Sequence, residues 1–332
     1  MRRREFVKKA AFASAAGLLA RGPDRVLAEP PPETTRIRLV KIGAICMSPM
    51  FVAEDLLRAE GFADVQYVPL PTLEAGEQAV AQGQVDVFMT YALRIVQRLD
   101  AGDPVVALAG VHTGCVELIA APEIRKVSDL KGKQVVAWRA ATGLPGLLDL
   151  LLKPVGLAVG RDVELVARPE GEAIEMFMQG KAAGFLGIPP EPQELRARKA
   201  ARVLLDTGRD KPWSQYFCCM VVAHRDFYRN HPVATKRAVR ALLKAADLCA
   251  TDPARVARFV VDRGYTPSYD IARQTIAELR YRAWREYDPE EALRYYALRL
   301  HESGSVKTNP KKLIAEGTDW RFLKELKREL KA

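Results

Sequence analysis

The sequence predicts an α/β protein of two lobes with mixed, mainly parallel sheets. Three observations lead there. Over the first two thirds of the chain, short β-branched and apolar runs alternate with amphipathic stretches, the pattern of strands joined by crossover helices. The strand runs are continuously apolar, as strands covered on both faces must be. The roughly 300 residues beyond the N-terminal leader exceed what one hydrophobic core commonly holds, and a 48% hydrophobic composition can fill two.

The leader is expected to be an export signal spanning residues 1–28. Arg3-Arg4-Glu5-Phe6-Val7-Lys8 resembles the twin-arginine signal, which carries folded cargo. An uncharged run follows from Ala10 to Ala20, well short of the roughly 20 residues a bilayer-crossing helix needs. Val26-Leu27-Ala28 suits a signal peptidase, and no cysteine stands at that junction to take a lipid. The expectation is a soluble periplasmic protein, monomeric and without stable membrane insertion. The net charge of +10 includes seven basic and two acidic residues of the leader, which leaves +5 on the rest. That surplus is dispersed among acids, without the basic blocks and interleaved aromatics of a nucleic-acid surface.

Each strand run nominates the residues after it, because open α/β sheets bind ligands beyond the carboxyl ends of their strands. After Ile37–Gly43 come Met47, an adaptable apolar wall, and Ser48, a helix cap or ligand hydroxyl. Val65–Leu70 nominates nothing. After Val85–Met89 come Thr90 and Tyr91, a hydroxyl and a ring. After Val105–Val111 come His112 and Thr113, with His112 read as a hydrogen-bonding partner for a solute. No second His or carboxylate stands at the spacing of a metal site, so neither metal nor cofactor is expected.

Gln134–Trp138 leads into Arg139, Thr142 and Gly143 at a helix start, where free N–H groups suit an anionic or carbonyl group. Val163–Ala167 precedes another amphipathic stretch. Ala182–Ile188 is followed by Pro189, Pro190 and Glu191, a stiff segment bearing one carboxylate, and Ala201–Leu205 by Trp213, an aromatic placed to stack on a solute. Arg139 and Glu191 together favour a solute with both donors and acceptors over a bare anion.

From Tyr216–Ala223 onward the rhythm turns helical, with stretches 233–250, 253–261, 269–284 and 290–303. Pro253 and Pro289 each follow a capping Asp at a helix start. Cys46, Cys115, Cys218, Cys219 and Cys249 show no repeated zinc-site spacing and read as small buried residues. No Gly-Lys-Ser/Thr phosphate loop and no nucleophile–base motif is present.

Three passages carry a family resemblance. Val127-Ser128-Asp129-Leu130-Lys131-Gly132-Lys133, running into Gln134–Trp138, resembles the start of the second lobe in periplasmic substrate-binding proteins of ABC importers. Gly83-Gln84-Val85-Asp86-Val87 and Phe217-Cys218-Cys219-Met220-Val221-Val222 are similar to their first-lobe and return strands. The likeness covers nearly all of residues 36–265 and is nearest the branch for thiamine-pyrimidine precursors, sulfonates, taurine and nitrate.

It implies a type II periplasmic-binding-protein fold, with lobe one at 36–120 plus 217–332, where the C-terminal helices form an extension, and lobe two at 121–216. It implies a small-molecule solute, a permease with its ATPase subunit as partners, and no catalysis. A precursor synthase and a receptor-docking sensor are the other readings. Yeast members of the pyrimidine branch are enzymes with a cysteine-rich run at the position of Phe217–Val221; only two cysteines remain here, which removes the basis for iron at that run.

Overall fold

A computed structural model describes residues 29–138, 143–198 and 201–331. The leader, Arg139 and Thr142 lie outside them. The chain divides into a short N-terminal unit ending at Pro31 and one compact unit from Pro32 to Ala332, which contains both sheets.

The strands are β1 (Arg36–Lys41), β2 (Asp64–Pro69), β3 (Val87–Tyr91), β4 (Val105–Thr113), β5 (Glu117–Ala120), β6 (Lys133–Trp138), β7 (Val163–Arg168), β8 (Gly184–Gly187), β9 (Arg202–Asp206) and β10 (Phe217–His224). They form two five-stranded sheets, ordered β2-β1-β3-β10-β4 and β7-β6-β8-β5-β9. β3 and β4 are buried at every position, which is why their sequences read as unbroken apolar runs.

One strand in each sheet runs against the others. β10 is antiparallel to β3 and β4, and β5 to β8 and β9. These are the two strands that follow a passage from one sheet to the other. A chain leaving the carboxyl edge of one sheet reaches the facing edge of the other, so its first strand there must run away from the seam. The carboxyl ends of β1, β3, β4, β6, β8 and β9 therefore face the same seam as the amino ends of β5 and β10.

The change of sheet falls a few residues before 120/121, where the sequence places the lobe boundary. β5 already pairs in the second sheet, so the change of sheet falls at Gly114–Val116. β5 was also the one strand without a sequence signal, being four residues long and opening on a charge. The expected helix 269–284 is broken as well: it ends at Glu278, the chain turns extended at Leu279, and a short helix resumes at Ala283–Glu286.

The two passages between sheets lie side by side. Thr207 donates its amide to the Val116 carbonyl at 3.0 Å, and its Oγ1 both accepts from the Val116 amide at 2.9 Å and donates to that carbonyl at 2.8 Å. Gly114 donates to the Tyr216 carbonyl at 3.4 Å. A methyl group on Gly114 would stand 1.8 Å from the Thr207 carbonyl oxygen, so only glycine lets the passages meet. The C-terminal helices pack on the first sheet, with 283–286 against β4 and 289–302 against β10.

Gly114→Ala should therefore cost about 3 kcal/mol or more, since the colliding atoms are backbone on both sides. Urea unfolding checks this; a loss below about 0.5 kcal/mol, the range of an unconstrained surface site, would mean that the passages are not packed as described.

Candidate functional site

The seam holds two cavities among the described residues. The smaller, about 30 Å³, is apolar and lined by Tyr91, Leu93, Gly143, Leu144, Cys218 and Tyr296 among others. Gly143 has φ +91° and is the N-cap residue of helix Leu144–Leu152; its Cα faces Arg94 of the first sheet's helix Ala92–Asp100. The larger cavity, about 200 Å³, is polar and bordered by Glu117, Pro189, Gln193, Asp206, Glu278 and Arg280, with Cys115 at its edge.

Arg196 ties the seam. Its guanidinium pairs with Glu117 of β5 and, at 2.5 Å, with Glu278 at the end of helix Tyr269–Glu278. Gln193 also donates to Glu278, at 3.0 Å. Helix Glu191–Ala197, whose Leu195 packs among Ile119, Val136 and Phe185 of the second sheet, is thereby fastened to a helix that packs on the segment Ile45–Met47 after β1. Burial pushes the Glu117 carboxyl above its ordinary range against the pull of Arg196. At Glu278 burial is outweighed by Gln274, Gln193 and Arg196, and the carboxyl is held below its ordinary range.

The residues nominated from sequence divide into several groups. Met47 and Ser48 are fully buried. The Ser48 hydroxyl donates to the Ile45 carbonyl at 2.6 Å at the end of the turn Ile45–Met47 and does not N-cap the helix that follows. Thr90 donates to Glu77 at 2.9 Å, and Arg94 holds the same carboxylate at 2.7 Å, so Thr90 belongs to a buried ion pair. Tyr91 and Gly143 meet at the small cavity and Pro189 borders the large one. Glu191 is 1% exposed, and its Oε2 accepts from the Ile188 amide at 3.1 Å. Trp213 is buried beside Tyr295.

His112 and Thr113 occupy a place that the sequence reading missed. His112 was read as lacking partner ligands, yet one of its ring nitrogens and the Sγ atoms of Cys46 and Cys115 all lie within 4.8 Å of one another. Cys115 Sγ is 3.0 Å from Cys218 Sγ, and Cys115 also touches Cys219 and Cys46 through its thiol. All five of the chain's cysteines are buried and unbridged, and four of them are in this cluster. Thiol hydrogen bonds from Cys115 and Cys219 draw both Cys46 and Cys218 well below the ordinary thiol range.

His112 Nδ1 lies 3.2 Å from the Thr113 carbonyl. A carbonyl only accepts, so the proton is on Nδ1 and the lone pair of the neutral ring is on Nε2. Nε2 makes no hydrogen bond, and neither do Thr113 Oγ1 and the Tyr91 hydroxyl. Each such buried group left unsatisfied costs about 1–3 kcal/mol. Tyr281 closes the cluster from the C-terminal region, donating to the Cys46 carbonyl at 3.1 Å and meeting the His112 ring edge-on at 5.4 Å. The missed signal was local: His112 and Cys115 stand three apart, and Cys46 follows β1 into the same seam.

Two mixed sheets joined by paired passages, with strand ends converging on a seam, define the architecture of periplasmic binding proteins. Residues 48–256 match the family model described as "NMT1/THI5 like", and the chain belongs to that family. No curated protein sequence matches it. Among solved structures it is similar to the alkanesulfonate-binding protein SsuA of Xanthomonas axonopodis pv. citri bound to MOPS, at TM-score 0.70 and 17% identity over 88% of this chain and 99% of that one. The periplasmic nitrate-binding protein NrtA of Synechocystis PCC 6803 gives 0.76 and 13% over 91% and 90%. The periplasmic aliphatic sulphonate binding protein SsuA of Escherichia coli gives 0.68 and 16% over 83% and 90%. At these identities the likeness is one of fold.

Arg196→Ala leaves the buried Glu117 carboxylate without its cation and should lower stability at neutral pH by about 3 kcal/mol. Because Glu117 already titrates above the ordinary carboxylate range, the loss should shrink as pH falls through its folded pKa and the carboxyl becomes neutral. Denaturation of both proteins at neutral and mildly acid pH checks this; a loss that stays constant with pH would contradict the pairing.

Proposed function

We propose that the chain is the solute-binding component of an ABC import system. It is exported to the periplasm by the twin-arginine route, captures a small polar or heterocyclic molecule between two lobes, and delivers it to a membrane permease served by an ATPase. The observation that carries this reading is the pairing of the two passages, which joins the sheets by two strands of chain at the edge where their ligand-bearing ends converge. Family membership supports it, as does the likeness in fold to proteins whose names specify sulfonate and nitrate binding. Among the described residues no helix is long and apolar enough to cross a membrane, in keeping with a protein that works beside its permease.

The solute class follows from the walls. Tyr91, Leu93, Leu144 and Tyr296 offer flat and aliphatic surface, which suits a ring. The polar side of the seam offers carboxylates and guanidinium groups, which suit donors and acceptors on that ring. Arg139 follows β6 in sequence and is assigned to the solute's acceptor group. Since Glu191 Oε2 accepts from the Ile188 amide, the case against an anionic solute rests less on it than its place in the sequence suggests. The chain acts as a monomeric binder and returns its solute unchanged.

Native mass spectrometry of the exported protein should find a small molecule bound one to one, and adding that molecule should raise the melting temperature. Arg139→Ala should weaken its affinity roughly 10–100-fold, the loss of one charge-assisted hydrogen bond. Chemical turnover of the solute would overturn the transport reading; undiminished affinity in both Arg139→Ala and Tyr91→Ala would move the site elsewhere.

A further inference from the structure

We propose that Cys46, His112 and Cys115, with a further thiolate from Cys218 or Cys219, hold a closed-shell thiophilic cation, zinc(II) or copper(I), beneath the seam. The site borders the cavities assigned to the solute but does not depend on the solute's identity.

Three features carry the proposal. The first is the donor set. Two sulfurs and an imidazole nitrogen lie within 4.8 Å of one another, and Cys218 and Cys219 are in contact with Cys115. Thiolate with imidazole, and no carboxylate in the group, selects zinc or copper(I) over magnesium or calcium. The donors come from three separate places, namely the segment after β1, the end of β4 with the passage behind it, and the start of β10. Only the folded chain brings them together.

The second is His112 itself. It is fully buried, its Nδ1 proton is held by the Thr113 carbonyl, and its Nε2 is left without a hydrogen bond. An imidazole fixed by a backbone carbonyl through one nitrogen, with the other free to coordinate, is the usual arrangement of a metal-ligating histidine. A Cys–His nucleophile pair would share this chemistry, but it needs access to a substrate, and Cys46 and His112 are both fully buried.

The third is access. Cys115 lies at the edge of the larger cavity and Cys218 at the smaller, so an ion can reach the cluster from the seam although the cluster itself is enclosed. The twin-arginine leader read in the sequence fits this use. A chain exported folded can be loaded while its thiols are still reduced in the cytoplasm, before an oxidising compartment can join Cys115 to Cys218. Loading displaces the thiol protons to water as thiolates form and involves no change in oxidation state.

The test uses the chain from Glu29 onward, purified from the cytoplasm under reducing conditions, with zinc(II) or copper(I) as the probe. The proposal expects one equivalent of either metal by elemental analysis after gel filtration, a melting temperature that falls when a strong chelator removes it, and thiols that react with a thiol reagent only after chelation. Cobalt(II) in place of zinc should give a thiolate charge-transfer band. Cys46→Ser and His112→Ala should each lose most of the bound metal, with circular dichroism establishing that they remain folded. If either variant unfolds, the thiol protection and cobalt spectrum of the unmutated chain decide.

Failure of the folded, reduced chain to retain either metal would overturn the proposal. So would undiminished metal in both variants, or a Cys115–Cys218 disulfide in protein made in the cytoplasm. Solute binding is read separately, by mass spectrometry of the unmutated chain, so failure of the metal reading and failure of the solute reading are distinguishable.

Discussion

Everything in this molecule depends on two pieces of backbone lying against each other. The passage Gly114–Val116 and the passage beginning at Thr207 share hydrogen bonds centred on Val116, and a missing side chain at Gly114 lets them approach. That contact sets where the chain changes sheets and which strands must run in reverse. It also sets which strand ends face the seam. The bonds are few and clustered, and under the proposed closure these two short segments would absorb the rotation.

The seam has two kinds of closure acting across it. Apolar surface around Tyr91, Leu144 and Tyr296 leaves only about 30 Å³, roughly the share of one water molecule in the liquid. Ionic closure comes from Arg196, shared between Glu117 and Glu278. The ion pairs are partly buried and so hold more than surface pairs do, and under the proposed closure they would exchange for water on opening. A solute entering the seam would replace water against the rings and add contacts to both sides, shifting the population towards closure by its difference in affinity for the two forms.

The strands were legible because burial on both faces leaves an unmistakable apolar run, as at Val105–Thr113. β5 was not, since its leading Glu117 is tolerated in the interior only through Arg196, 79 residues later. The break at Leu279 was hidden for a similar reason: the pattern of 269–284 is helical, and what ends the helix is a tertiary demand, with Glu278 drawn to Arg196 and Tyr281 to the Cys46 carbonyl. Residues adjacent to strand ends were nominated by position, and Tyr91, His112, Gly143 and Pro189 lie at or beneath the seam. The contact of Cys115 with Cys218 spans 103 residues, and no local spacing announces it. Ser48, Thr90 and Glu191 show the converse, polar residues at ligand positions that form hydrogen bonds to neighbouring protein groups.

The central claim is that a small molecule closes two lobes about the paired passages. Small-angle scattering of the solute-free protein, before and after saturation with the molecule it retains from the periplasm, tests this most directly. The account predicts a smaller radius of gyration on binding, with secondary structure unchanged. Stoichiometric binding with an unaltered radius would contradict it.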